Sequence, residues 1–270
     1  MVKNFPRTAQ SGSSEPDEKL RTDDPPQTFL LERKQYPLQT MLSTPTTPPF
    51  THEALEIVFE KSNFKSFQKT GFMSHYWAPL ISACSGTRRN EIFYLTPNDV
   101  LQKYGIWIMQ INTNGSKKVQ AESMIRDLPI HPTLKRLGFL EFVQERRRTH
   151  PSERLFSEYK AIQEHAGMLF SRSFVHWIKT TVNTLPDEKK HLFGEDFHFP
   201  SLRALFSVEA IRSGMSERTF QEMQGCSNGF RRTFDEGQEQ CALTSADAEM
   251  QRLDIESYFP PLYTYEELMG

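Results

Sequence analysis

SGTRRNEIFYLTPNDV, Ser85 to Val100, is the stretch at which the character of the chain changes. Before it, SHYWAPLISACS reads as a buried helix; after it, YGIWIMQI has strand composition, NTNGSKK is turn-like and RDLPIHP supplies another short strand. The pattern predicts a small antiparallel sheet set between helices. Outward toward the N-terminus, Thr51 is placed to cap a helix through HEALEIVFEKS, with Leu55, Val58 and Phe59 on one face. Toward the C-terminus, HPTLKRLGFLEFVQERR puts Leu134, Leu137, Leu140 and Phe142 largely on one side of a single helical run. MLFSRSFVHWIKTTV and SLRALFSVEAIRSG repeat that period, the second ending at Gly214, and SERTFQEMQ forms a short helix capped by Ser216. No internal repeat is present, so solenoids are set aside. The expected class is α+β, mostly helical, with a three-stranded antiparallel sheet.

The composition, 37% hydrophobic over 270 residues, is that of a globular protein with one substantial core. Residues 1–50 stand apart: they are rich in Pro, Ser, Thr and charge, end in STPTTPPF, and read as a disordered or linker-like arm. Residues 51–240 are expected to form the body, and residues 241–270 a tail helix or docking segment. A formal charge of -2 neither demands nor excludes a polyanionic partner, so only a local basic patch could argue for nucleic acid. Cys84, Cys226 and Cys241 form no C-x-x-C pair and accompany no histidine cluster, which indicates neither a metal site nor a disulfide framework. No apolar stretch has the length of a signal peptide or a membrane span, so the expectation is a soluble, cytoplasmic protein without a membrane partner.

Ser85 to Val100, with CSG leading into R-x-x-E at Arg88 and Glu91, resembles the first signature of the tyrosine recombinase (phage integrase) catalytic domain. The resemblance continues in order through RDLPIHPTLKRLGFLEFV, ERLFSEYK and FPSLRALFSVEAIRSGMSERTFQEMQGCS, and covers about Phe50 to Gly237. It implies a DNA breaking-rejoining fold, DNA integration or recombination as the activity, DNA as the partner, and no cofactor. Such a reaction attacks a phosphodiester with a tyrosine oxygen, and the charge gathering on the non-bridging oxygens must be neutralised. Two arginines suit that work, because a planar guanidinium grips phosphate oxygens bidentately and keeps its charge at any working pH. Arg88 and Arg203 match the family's two positions.

Other positions depart from the family pattern. Pro200 stands where a histidine belongs, and proline has no proton to give. The hairpin lysine falls near Gln120; neither it nor Ala121 or Glu122 can replace an ammonium, while Lys117 and Lys118 stand slightly earlier. Cys226 takes the place of a histidine or tryptophan donor in the turn GCS. The nucleophile's position falls in NGFRRTFDEGQEQ, at Glu236 or Asp235, and no tyrosine occurs between Tyr159 and Tyr258. Lys118, His198 and Tyr258 are therefore the candidates for displaced groups, with Tyr263 and Tyr265 as tail aromatics suited to docking on a second copy or an intact recombinase. Arg146 and Arg147 in ERRRTH, and Arg231 and Arg232, are candidates for DNA-backbone contacts. The family's N-terminal clamp domain is expected to be missing before Phe50. The expectation is a degenerate member that contacts DNA without cleaving it; the rivals are an active recombinase with a tail nucleophile and a protein-interaction remnant without DNA affinity.

Overall fold

The protein was analysed as a computed structural model, which describes residues 47–60, 62–63, 73–114, 117, 124–159, 165–194, 197–225 and 235–270. Helix α1 (His52–Val58) opens at Thr51, whose hydroxyl accepts the Ala54 N–H at 3.2 Å, as the sequence predicts. Helix α2 (Ser74–Ser85) is buried on every side, which explains a sequence apolar all round, and it forms the axis of the molecule with Trp77 and Leu80 fully enclosed. No side chain of its own caps α2; Glu158 supplies the partner instead, its carboxylate accepting the Ser74 N–H at 2.8 Å. Gly86, at φ 65°, ends the helix, and α3 (Arg89–Tyr94) follows at once.

The sheet is antiparallel and ordered β1 (Val100–Lys103), β2 (Ile106–Ile111), β3 (Arg126–Pro129), with Val100 opposite Met109 and Ile108 opposite Pro129. Two details differ from the sequence reading. The first strand, VLQK, is too short and too polar to announce itself by period, and YGIWIMQI is not all strand. Tyr104 and Gly105 take φ values of 52° and 79°, so they form the two-residue turn of the β1–β2 hairpin, the left-handed pair such a turn requires.

After β3 the run read as one helix is two, α4 (Pro132–Arg136) and α5 (Phe139–Thr149). Gly138 between them sits at φ 87°, and a Cβ there would stand 2.7 Å from the Cβ of Tyr265. The break redirects the chain while Leu134, Leu137 and Phe142 remain buried. Helices α6 (Ala166–Asn183), α7 (Asp187–Lys190), α8 (Pro200–Arg212) and α9 (Glu217–Gln224) complete the body. Helix α8 packs along α2, and α6 lies against α3. Phe199 meets Phe170 and Phe174 edge to face, a geometry that aromatic quadrupoles favour, while Phe170 and Phe174 stack on one another.

Helix α10 (Glu236–Met250) runs unbroken across residue 240, where the sequence suggested a boundary, and packs on β2, β3 and α9. The tail then folds back on its own body. Tyr76 donates its hydroxyl to the Tyr263 carbonyl, the Tyr265 N–H donates to Leu137 O at 2.7 Å, and α11 (Tyr265–Met269) rests on α5 with Leu268 buried. The tail aromatics thus anchor in cis. Among the described residues no helix is long and apolar enough to cross a membrane.

Candidate functional site

The turn that follows α2 is fixed from within. The Ser82 hydroxyl donates to the Thr87 carbonyl at 3.1 Å, Ser85 donates to Ile81 O at 2.6 Å, and Ser85 and Thr87 join their hydroxyls. Gly86 is required there twice over: its φ is left-handed, and a Cβ would lie 2.6 Å from both Phe206 and the Gln224 amide. Arg88 therefore leaves the turn as the N-cap of α3 with an extended backbone, its N–H bonded to the Glu91 carboxylate at 2.7 Å. Proline at the first position of α8 supplies the helical φ without an orphan N–H, and Arg203 projects from that first turn.

The two arginines meet at the end of α9. Arg88 Nη1 donates to the Gln224 carbonyl at 2.9 Å, and Arg203 Nη2 donates to the same oxygen at 3.2 Å. Arg203 Nε also donates to the side-chain oxygen of Gln224. The guanidinium nitrogens cannot be farther apart than the sum of those two distances, although 115 positions separate the residues in sequence (203 − 88). Gly225 follows at φ 65°, and a Cβ there would meet Arg126 Nη1 at 2.8 Å and Arg88 Nη1 at 3.3 Å, so the close approach of backbone to guanidinium demands glycine.

Arg126, which the sequence reading did not single out, stands beneath the pair. From β3 it grips Glu91 with two parallel bonds of 2.9 Å and donates to the carbonyls of Met223 and Met124. Burial alone would raise the Glu91 carboxyl, but the Arg126 bonds and charge, with Arg88 behind them, hold it below its ordinary value. The hydrogen-bonded group of Arg88, Arg126, Arg203 and Glu91 thus carries three positive charges against one negative. A signal for Arg126 was available: strand alternation puts it on the same face as buried Leu128, and an inward-facing arginine needs a partner. Gln224 offered none, since its role depends on two helices and a turn meeting at its carbonyl.

A cleft of about 280 Å³ opens beside the pair, lined among others by Thr87, Arg88, Met124, Phe199, Pro200 and Arg203. No tyrosine, histidine, lysine or cysteine lines it among the described residues. Chemically its lining sets the charges of Arg88, Arg89 and Arg203 beside the Glu91 carboxylate, which Arg126 holds, and the hydroxyls of Ser82 and Thr87, which are bonded within the turn.

The remaining candidates lie elsewhere. Gln120, Lys118, Cys226, Arg231 and Arg232 fall outside the described residues. Pro200 lines the cleft, while His198 precedes α8 in a turn whose carbonyl accepts the Ser201 N–H, and it is not among the lining residues. Lys117 is committed to Asp99, at 2.5 and 2.6 Å, and to Asn112. Asp235 caps α10 by accepting the Gln238 N–H at 2.8 Å, and Glu236 is its exposed first residue, where the helix dipole welcomes an anion. Tyr258 donates to buried Glu209 at 3.0 Å and accepts from Arg212 at 3.3 Å. Those partners lie six or more residues beyond Arg203, roughly 9 Å along the axis of α8. Burial first, and then Glu209 against the opposing Arg212, keeps this phenol above its ordinary pKa, the reverse of activation.

In the basic run of the last turn of α5, read from the sequence as a candidate DNA-backbone patch, Arg146 and Arg147 are engaged within the fold. Arg146 donates to His150, the Arg154 carbonyl, Ser157 and Glu153, and Arg147 donates to the carbonyls of Pro97 and Val100. Both tie α5 to the loops beside it by donating to backbone carbonyls there.

No protein-family model matches the sequence, and no curated protein matches it. Among solved structures, the integrase of transposon Tn1549, in complex with transposon right end DNA, matches with a TM-score of 0.40 and 20% identity over 81% of this chain and 70% of that one.

Proposed function

We propose that the domain binds DNA through its phosphates, with Arg88 and Arg203 as the cradle, as a recombinase-like module that does not cleave. The observation that carries this reading is the meeting of both guanidiniums on the Gln224 carbonyl. Two cations so close repel one another; Glu91, 3.4 Å from Arg88 and shared with Arg126, offsets part of that charge, and an anion entering between the pair offsets more. A phosphodiester suits it, because its two non-bridging oxygens can accept from two guanidiniums at once. The resemblance of Ser85–Val100 and Phe199–Ser227 to the recombinase signatures points to the same ligand.

The reading that it does not cleave is supported by the lining of the cleft, where no tyrosine, histidine or lysine stands among the described residues. A tyrosine nucleophile must lie within about 3.5 Å of phosphorus, and the Tyr258 hydroxyl is engaged by Glu209 and Arg212 instead. Without attacking group and proton donor together the reaction is lost rather than slowed. The test is a nicked suicide duplex offered to the protein at two salt concentrations. The expected result is a complex that weakens steeply as salt rises and leaves no protein–DNA adduct under denaturing conditions. A covalent adduct lost in Tyr258→Phe would restore the enzyme reading, and absence of any complex at low salt would remove DNA from the account.

A further inference from the structure

Three arginines converge on this site, but their acceptors differ in kind. Arg126 holds the Glu91 carboxylate with two bonds of 2.9 Å and serves as a strut, and Arg88 reaches the same carboxylate at 3.4 Å. Arg203 is held by the two oxygens of one glutamine, Oε1 on its Nε and the backbone carbonyl on its Nη2, so the side edge of the guanidinium is gripped by a neutral group. An amide oxygen can fix the rotation of an arginine without subtracting from its charge, which a carboxylate cannot do. The Gln224 side chain is itself 4% exposed, and its amide nitrogen reaches the Ser207 hydroxyl at 3.4 Å on the next turn of α8. A Cβ on Gly86 would collide with that same amide nitrogen, so the carboxamide is wedged between the α2 turn and α8.

We propose that Gln224 is the positioning residue of the phosphate cradle: its carbonyl joins Arg88 to Arg203, and its carboxamide sets the orientation of Arg203 without adding a negative charge of its own. The proposal rests on the phosphate-binding reading above and adds to it the element that makes two flexible side chains into a fixed receptor. Pre-ordering them matters because an unrestrained arginine loses rotamer freedom on binding, a cost the free protein has already met here.

Two near-isosteric variants separate charge from orientation. Gln224→Glu keeps the shape and cancels one positive charge; Gln224→Leu keeps the charge and removes the acceptor. With a phosphodiester duplex followed by fluorescence anisotropy, Gln224→Glu is expected to weaken binding about a hundredfold and to reduce the salt slope by about one. Gln224→Leu is expected to weaken it about tenfold with the slope unchanged. A second measurement does not depend on DNA. In the ¹⁵N spectrum the Arg203 Nε–H is expected to be protected from exchange in the parent protein and in Gln224→Glu, and to lose that protection in Gln224→Leu. Thermal melting confirms that each variant is folded. Equal affinities, slopes and Arg203 protection in folded variants would overturn the assignment. A parent protein that fails to bind DNA yet loses Arg203 protection in Gln224→Leu would sink the phosphate reading and leave the positioning role standing.

Discussion

At the scale of single residues, the site contains arginines of two sorts, and substitution should tell them apart. Arg126 and Glu91 are each about one-twentieth exposed and hold one another with two bonds, so replacing Arg126 leaves a buried carboxylate without its principal partner. Arg126→Met is expected to cost about 3–5 kcal/mol of stability by chemical denaturation. Arg203→Ala removes a partly exposed cation, held by the neutral oxygens of Gln224 among its partners, and is expected to cost far less, on the order of 1 kcal/mol. A comparable loss from both would mean that the distinction between strut and receptor is wrong. Arg88 and Arg203 were legible in the sequence because each sits in a motif with a small-residue turn or a helix start beside it. Arg126 was legible only as an inward-facing arginine on β3; its partners, Glu91 35 residues away and a carbonyl at the end of α9, were not. For Arg146 and Arg147 the basic run suggested solvent and phosphate, while the fold uses them to satisfy carbonyls, a demand that no local pattern reveals.

At the scale of elements, α2, α6 and α8 could be read from the sequence, α6 and α8 by their period and α2 as a buried apolar run. What could not be read was interruption. Leu134, Leu137 and Phe142 keep a helical spacing across Gly138, so the break between α4 and α5 leaves the apolar pattern intact. Strand β1 was equally hidden: four residues with an exposed glutamine carry too little alternation to count, and a Tyr-Gly turn lacks the asparagine that usually announces a two-residue hairpin. Gly138 also admits the tail, since Tyr265 lies against it and packs on Phe142 with ring centroids 5.8 Å apart. Gly138→Ala forces an L-residue into the left-handed region and pushes a methyl group into Tyr265. A loss of about 1–3 kcal/mol in the denaturation midpoint is expected, whereas an unchanged midpoint would mean that the α4–α5 break relaxes freely.

At the scale of the whole molecule, stability should depend on pH through two buried imidazoles. His75 and His131 are both held near pKa 4, in each case chiefly by burial; for His131 the Leu253 carbonyl pulls the other way. His131 Nδ1 accepts the Thr133 N–H at 3.1 Å, so the neutral ring is the form the fold uses. In the unfolded chain these groups take up protons near pH 6.5, in the folded one only near 4. Stability is therefore complete above about pH 6.5 and is lost as the pH falls toward 4, by up to roughly 3 kcal/mol for each ring. Glu158, whose carboxyl is pushed up mainly by burial, acts in the opposite sense at the acid end and trims the loss. Thermal melts between pH 7 and 4 should show the decline, and in His131→Asn its slope should shrink by about one proton; an equal slope would place the acid sensitivity elsewhere.

One measurement bears most directly on the cradle at the centre of the molecule: the dependence of duplex affinity on salt for the parent protein and for a folded Arg88→Ala/Arg203→Ala variant. If these two side chains hold phosphates, the variant binds more weakly and its log–log slope is shallower by about two. Superimposable curves would mean that the two guanidiniums meet for the sake of the fold alone.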